Sequence, residues 1–221
     1  MPPQPPGHVF LPEKGPPGVP LLLPESKNYL DPSHYTLAEA LRDAGYRTGH
    51  FGKWHLGSDP TGFNYWEILP GQGLYHNPVL YTDKGPKTYT GEYASDVITD
   101  LTINFIKTAP KDKPFFVYLP TNVPHMPLWP PETSADLYKG KVGPDVADCF
   151  AMIANLDDNI GRLEEWLKKN GLLENTIVVL LTDNGGTAGS RLYNAGLRAS
   201  KASNYEGGHR CACFLRWPGG G

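Results

Sequence analysis

The chain has 221 residues and a formal net charge of −3, with 39% hydrophobic and 19% charged residues. That composition is typical of a globular protein with one sizeable core. The weak negative charge and the lack of a basic stripe in the sequence argue against a nucleic-acid partner. No apolar run approaches the ~20 residues that cross a bilayer, so we predict no membrane span.

The start of the chain, residues 1–35, is rich in proline and glycine, a composition typical of irregular chain. It shows no basic stretch followed by an apolar one, so a secretory signal is not predicted. Periodic apolar patterns begin at residue 36. We therefore predict an irregular segment at 1–35 and a folded domain at 36–221.

Helix and strand patterns alternate through the folded domain. Thr36 and Glu39 form a capping-box pattern that opens the first helix. The apolar patterns predict helices at 36–44, 93–108 and 145–170, strands at 48–52, 115–119 and 177–181, and a loop at 58–89. The last two strands are almost wholly apolar, which is typical of burial on both faces. The pattern predicts an α/β fold, a mostly parallel sheet with helices on both faces.

The first polar cluster lies at the end of the first predicted strand, in Gly-Lys-Trp-His-Leu-Gly at 52–57. In extended chain, residues two apart face the same side, so Lys53 and His55 would point together. A lysine charge beside an imidazole suits an oxyanion and a leaving oxygen that needs a proton. Taken alone, the pair favours a solvated lysine and a histidine at the edge of the core.

The second cluster is His125, which lies between Pro124 and Pro127 after the second predicted strand. Prolines restrict the backbone, and ligands of α/β proteins bind where strands end. These features make His125 a catalytic candidate. A structural loop histidine is an equal alternative.

The third cluster, Asp183 and Asn184, follows the last predicted strand and precedes two glycines. Carboxylate and amide oxygens are hard ligands that suit Ca²⁺ or Mg²⁺, although two do not complete a site that needs ~6 oxygens. Asp-Asn-Gly is also an ordinary turn. Lys201 follows closely enough to share this pocket and neutralise an anion there, but alone it indicates only a solvated surface lysine.

Together these motifs indicate a protein family far more specifically than any one of them does. Gly-Lys-Trp-His-Leu-Gly, Pro-His-x-Pro, Asp-Asn-Gly and Lys-x-x-x-x-Glu-Gly-Gly occur in this order and resemble the sulfatase family of the alkaline-phosphatase-like superfamily. The resemblance covers residues 36–218. It implies an alkaline-phosphatase-like fold and hydrolysis of a sulfate monoester.

The resemblance also implies a role for each candidate residue. Lys53 and Lys201 would bind the sulfate oxygens, and His125 would contact the sulfate. His55 would act on the geminal diol of the nucleophile during turnover. The third cluster, Asp183 and Asn184, would be ligands of a divalent cation, which is usually Ca²⁺ in this family.

Sulfatases use a formylglycine nucleophile, made from the cysteine of a Cys-x-Pro-Ser-Arg or similar motif. In the family that motif and an Asp-Asp pair precede Gly-Lys-Trp-His-Leu-Gly. Neither occurs before Gly52 in this sequence, and Cys149, Cys211 and Cys213 follow it without that context. Family members also continue beyond the last residues present here. We therefore expect an internal fragment, truncated at both ends and inactive by itself for lack of its nucleophile.

Two other functions stay open at this point. A phosphonate or phosphate ester hydrolase of the same superfamily would share much of the site, and a catalytically inactive remnant would only bind anions. For a sulfatase, the substrate would be a small-molecule or glycan sulfate ester. The compartment is open, because family members are commonly exported, periplasmic or lysosomal.

Overall fold

The structure is a computed structural model that describes Leu30 and residues 33–220. The predicted irregular segment at 1–35 lies almost entirely outside the described residues. The chain forms two compact units, one ending at His125 and one beginning at Met126. Within the described range, none of the helices has the length and apolar character needed to span a membrane.

The first unit combines helices with a five-stranded sheet. The helices are α1 (Leu37–Asp43) and α2 (Ala94–Lys107), and the strands are β1 (Arg47–Trp54), β2 (Tyr65–Pro70), β3 (Val79–Thr82), β4 (Gly85–Thr88) and β5 (Phe115–Tyr118). The strand order is β4-β3-β2-β1-β5. Strand β1 pairs in parallel with β2 and β5, whereas β2–β3 and β3–β4 are antiparallel. The sheet is therefore mixed, with its parallel part centred on β1.

The sequence patterns locate the helices of this unit and two of its strands. Helix α1 begins with the predicted capping box, in which Thr36 and Glu39 exchange side-chain-to-backbone hydrogen bonds. The prediction of a loop at 58–89 is wrong, because this segment contains β2, β3 and β4. Glycines and prolines interrupt its apolar pattern, while its place in the sheet buries β3 and most of β2.

Strand β1 is the centre of the core of the first unit. On one face, Phe51 is fully buried and packs against Phe105 of α2. On the other face, His50 is also fully buried. It meets three aromatic rings edge-on, those of Trp54, Phe63 and Tyr118. Because both faces are closely packed, the carboxyl end of β1 has a fixed position.

The second unit is mainly helical. It contains α3 (Glu132–Ala135), α4 (Pro144–Lys169) and α5 (Glu206–His209), two 3₁₀ turns (Leu173–Asn175 and Gly189–Arg191), and the antiparallel pair β6 (Val178–Leu181) and β7 (Cys213–Arg216). Helix α4 has proline in its first turn and is followed by Gly171 at a φ of +69°, the usual signals for a helix start and stop. Cys149 is buried on α4.

The apolar strands of this unit are more exposed than their sequences predict. The sequence predicts a buried strand at 177–181, but Val179 is 50% exposed and Leu181 is 60% exposed. On β7, Phe214 and Leu215 are 65% and 68% exposed. Such a large exposed apolar surface is uncommon on a soluble protein, because burying it lowers the free energy.

Candidate functional site

Lys53 lies at the end of β1, where the loop after β5 fixes its backbone. Its amide donates a 2.7 Å hydrogen bond to the carbonyl oxygen of Pro120. The preceding Gly52 has a φ of +125°, and a Cβ there would lie 2.1 Å from the same oxygen. Only glycine satisfies both the conformation and the space. The glycine of the motif thus allows the close approach of β1 to this loop.

Two side-chain hydrogen bonds hold the chain in place around Lys53 at the end of β1. The Lys53 ammonium Nζ donates to Gln72 Oε1 at 2.7 Å, and Gln72 lies just after β2. The indole of Trp54 donates to the carbonyl of Ser58 at 2.6 Å, which closes a turn after β1. His55 lies in this turn and is half-buried.

His55 belongs to a cluster of three basic side chains. Burial lowers the pKa of His55, and the positive charges of Lys53 and His125 lower it further. Hydrogen bonds join the segments that carry these residues: Lys53 donates to Gln72 and to the carbonyl of Pro120, and Asn122, on the loop that leads to His125, donates to the carbonyl of Gln72. A half-buried imidazole near a lysine ammonium can accept a proton while the positive charge attracts an anion.

A buried tyrosine supports the loop that carries His125. The Tyr75 hydroxyl lies 2.7 Å from the carbonyl oxygen of Asn122 and 2.6 Å from that of His125, so its proton can be shared between them. The amide of His125 also donates to the carbonyl of Asn122 at 2.9 Å, which closes a turn. Tyr75 and Asn122 are 3% and 2% exposed, so the loop rests on a rigid base.

In the second unit, Asp183 and Asn184 form the turn after β6. The amide of Gly185 donates to the carbonyl of Gly208 at 2.9 Å. A Cβ on Gly185 would lie 1.8 Å from the carbonyl oxygen of Gly207, so this position also requires glycine. Asp183 is exposed and Asn184 is half-buried. The backbone of this turn is therefore tightly packed, and its side chains offer a carboxylate and an amide oxygen.

Lys201 lies beside this turn. Its amide donates to the carbonyl of Gly186 at 3.2 Å. An open cavity of about 580 Å³ lies next to it within the second unit. Its lining residues are Thr187, Ser190, Arg191, Asn194, Ala199, Ser200, Lys201 and Ala202. Two cationic side chains, three hydroxyl groups and the amide of Asn194 line this cavity, and one of the cations, Arg191, also forms an ion pair with Asp145 at 3.3 Å.

Asp183 and Asn184 fit a hard divalent cation in the kind of ligand they offer. Ca²⁺ takes ~6–8 oxygen ligands, so these two side chains would form only part of its coordination shell. Across Leu30 and residues 33–220, no group of three or more His, Cys, Asp or Glu side chains could hold a metal ion. The two residues therefore offer the type of ligand that the cation prefers, but fewer ligands than it needs.

Comparison with known proteins gives the family. The sulfatase family model matches residues 15–221. The chain belongs to the sulfatase family. It is 34% identical over 145 residues to the N-acetylglucosamine-6-O-sulfatase of Bacteroides thetaiotaomicron, covering 64% of this chain and 25% of that protein. It is 29% identical to arylsulfatase A of Homo sapiens, over 92% of this chain and 46% of that protein.

Solved structures give the fold of this sulfatase chain. The crystal structure of Ps i-CgsB matches it with a TM-score of 0.80 and 27% identity, over 87% of this chain and 49% of that one. The alkaline-phosphatase-like α/β fold and the sulfatase resemblance predicted from the sequence are thus confirmed. The chain spans from a quarter to about half the length of these relatives. Family membership supports sulfate ester hydrolysis and a divalent cation in general terms.

The structure places the predicted site residues in two groups. Lys53, His55 and His125 lie in the first unit on segments joined by hydrogen bonds, whereas Asp183, Asn184 and Lys201 lie in the second. Their roles in a sulfatase stay predictions.

The sequence analysis missed the residues that support the first group, which are Gln72, Tyr75 and Asn122. One signal was available: a lone glutamine stands between Gly71 and Gly73, whose φ angles are +60° and +67°. Such a polar residue in a tight turn after a strand is a candidate for a site.

Proposed function

We propose that this chain carries the sulfate-binding part of a sulfuric ester hydrolase that uses a formylglycine nucleophile. The observation that supports this most is the hydrogen-bonded position of Lys53 at the end of β1, with His55 two residues later and the loop of His125 joined to it through Gln72 and Asn122. Positive groups that are held in place stabilise an anion whose charge grows during reaction. The 221-residue chain contains no formylglycine motif, so the nucleophile would come from outside it.

Each of these basic residues would have a separate role in the reaction. The ammonium of Lys53 would bind a sulfate oxygen as a point charge, as would that of Lys201 in the second unit. His125 would contact the sulfate group. His55 has a lowered pKa, so it is largely neutral at pH 7 and can take a proton from a hydroxyl of the nucleophile during turnover.

Asp183 and Asn184 would hold a divalent cation, for which we propose Ca²⁺. When bound, such a cation stabilises negative charge on nearby oxygens. Both groups ligate through oxygen, which Ca²⁺ prefers. The exposed carboxylate of Asp183 can reach a cation without a change in the packing of the turn behind it.

For the substrate we propose a sulfated sugar. The relative from Bacteroides thetaiotaomicron, 34% identical, is an N-acetylglucosamine-6-O-sulfatase. Ps i-CgsB has also been solved in complex with k-i-k-neocarrahexaose, and that structure matches this chain with a TM-score of 0.76 and 28% identity. The hydroxyl, amide and cationic groups around the cavity beside Lys201 suit a ligand rich in hydroxyl groups that carries negative charge.

A comparison of substrates tests this proposal. The product of the complete gene would be assayed with N-acetylglucosamine-6-sulfate, an aryl sulfate, an aryl phosphate and an aryl phosphonate. We expect sulfate release, fastest from the sugar. Faster phosphate or phosphonate hydrolysis would instead indicate the related ester hydrolase, and anion binding without any hydrolysis would indicate an inactive remnant.

The 221-residue chain by itself is the second protein to be assayed. We expect it to hydrolyse none of these esters, because it lacks the nucleophile that forms the covalent intermediate. Robust, metal-dependent sulfate release from this chain alone would refute the formylglycine mechanism.

A further inference from the structure

Gln72 contacts Lys53 from a segment that none of the four motifs includes. Its side-chain oxygen accepts the hydrogen bond from the Lys53 ammonium at 2.7 Å. An amide oxygen is a neutral acceptor. It orients the ammonium through a charge-assisted hydrogen bond, yet it leaves the full positive charge to act on another ligand. A carboxylate at the same place would neutralise that charge.

The backbone of Gln72 is fixed on both sides. The amide of Gly71 donates to the carbonyl of Trp54 at 3.0 Å, which ties the segment to the end of β1. At Gly73, a Cβ would lie 2.1 Å from Leu69 Cγ, so the chain folds tightly back onto β2. The position of the Gln72 side chain is therefore set by the sheet itself.

The same segment also reaches the His125 loop. The side-chain amide of the buried Asn122 donates to the carbonyl of Gln72 at 3.2 Å. Three residues later, the Tyr75 hydroxyl contacts the carbonyl of His125. The segment from Gly71 to Tyr75 thus connects the lysine on β1 with the loop that carries the histidine.

We propose that Gln72 is a positioning residue, which holds the ammonium of Lys53 in the orientation needed to bind the anionic group of the substrate. A free lysine side chain samples many rotamers and loses that freedom on binding. A hydrogen bond formed beforehand reduces this loss. That the anion is a sulfate ester rests on the proposed function. The orientation of Lys53 by its hydrogen bond to Gln72 does not depend on that function.

The first test uses the 221-residue chain and needs no catalytic activity. The pKa of His55 would be measured by NMR titration, with its resonance assigned from its loss in His55→Gln. Lys53→Met removes a charge that lowers this pKa, so the pKa should rise. Gln72→Met keeps the length of the side chain but removes the acceptor, so Lys53 should move away and the pKa should rise similarly.

The double variant separates positioning from a general structural effect. If Gln72 acts through Lys53, the pKa of His55 in Gln72→Met/Lys53→Met should equal that in Lys53→Met alone. Lys87→Met, which removes a lysine that lies beside Glu67 instead, should leave the pKa of His55 unchanged. An unchanged pKa in Gln72→Met, or additive shifts in the double variant, would overturn the proposal. Gln72→Asn, whose amide is one methylene shorter, replaces Gln72→Met if that variant does not fold.

The second test measures activity in the product of the complete gene. Gln72→Met should lower kcat/KM for the sulfated sugar about 10-fold or more, and it should cause no further loss in the Lys53→Met background. A raised pKa of His55 with an unchanged kcat/KM would refute the positioning role. Complete lack of hydrolysis in the unmutated protein would count against the proposed function, while the NMR test would still decide whether Gln72 holds Lys53.

Discussion

The carbonyl oxygen of Pro120 lies so close to Gly52 that a Cβ on the glycine would be 2.1 Å from it. Gly52→Ala should therefore push β1 away from the loop after β5, in addition to straining a φ of +125°. We expect a loss of roughly 2–4 kcal/mol in the free energy of unfolding. Urea denaturation measures it, with an unchanged m-value as the check on two-state behaviour.

Gly91→Ala is the matched control for this substitution. Gly91 also has a positive φ, of +81°, but no atom lies within 4 Å of a Cβ built there. Its substitution should cost only the backbone strain, about 1 kcal/mol. Equal losses in the two variants would show that the approach of Pro120 does not limit Gly52.

His50 should make the protein less stable in mild acid. Burial lowers the pKa of the fully buried His50 from 6.5 to about 4, because burial outweighs the opposing effect of a nearby backbone group of Lys53. As the pH falls below 6.5, the unfolded chain takes up a proton that the folded chain does not. The stability is therefore complete above pH 6.5 and decreases towards pH 4, by about 3 kcal/mol from this residue.

The variant His50→Leu tests the source of this pH dependence. At pH 8 it reports only the change in packing, because the histidine is neutral in both states. Between pH 6.5 and pH 4 its free energy of unfolding should decrease less steeply than that of the unmutated chain, with a difference of about 3 kcal/mol over the range. Parallel pH profiles would mean that His50 is protonated as easily in the folded state as in the unfolded one.

The sequence predicts the site motifs better than their surroundings. The segments carrying Lys53, His125 and Asp183 are recognisable because each combines polar residues with a glycine or proline next to a strand. Strands β2 to β4 are not recognisable, because their stability comes from pairing within the sheet, β2 with β1, β3 with β2 and β4 with β3, and not from their own pattern. Gln72 was missed for the same reason. Its role depends on a contact across 19 positions that local sequence does not encode.

Burial was the second property that local sequence did not predict. An apolar strand such as Val178–Leu181 indicates a buried position, but burial depends on what packs against the strand. In the structure its only pairing partner among the described strands is β7. Its side chains therefore remain largely exposed.

The exposed surface of β6 and β7 should make the 221-residue chain bind hydrophobic dyes and self-associate. We expect fluorescence enhancement with 8-anilinonaphthalene-1-sulfonate, and light scattering that grows with protein concentration. Leu181→Lys and Leu215→Lys should reduce both signals, because each replaces a side chain that is 60% or 68% exposed. Their thermal midpoints should change little, since neither leucine contributes much to the core.

Leu37→Lys serves as the control for the dye experiment. Leu37 is 66% exposed, but it lies on α1 and not on the β6–β7 pair. The Leu37→Lys substitution should leave the dye fluorescence unchanged. A decrease of similar size in all three variants would show that dye binding does not report on β6 and β7.

The last prediction concerns two basic residues, His125 and Lys201, that are each proposed to contact the sulfate. In the product of the complete gene, His125→Ala and Lys201→Ala should each raise the barrier to turnover by roughly 2–4 kcal/mol, the usual effect of removing an oxyanion-stabilising group. The loss should fall mainly on kcat, since the charge on the sulfate oxygens changes in the transition state. Lys168→Ala, at the exposed end of α4, should leave kcat unchanged. If instead KM rises while kcat stays constant, these side chains bind substrate and transition state equally, and they are not catalytic.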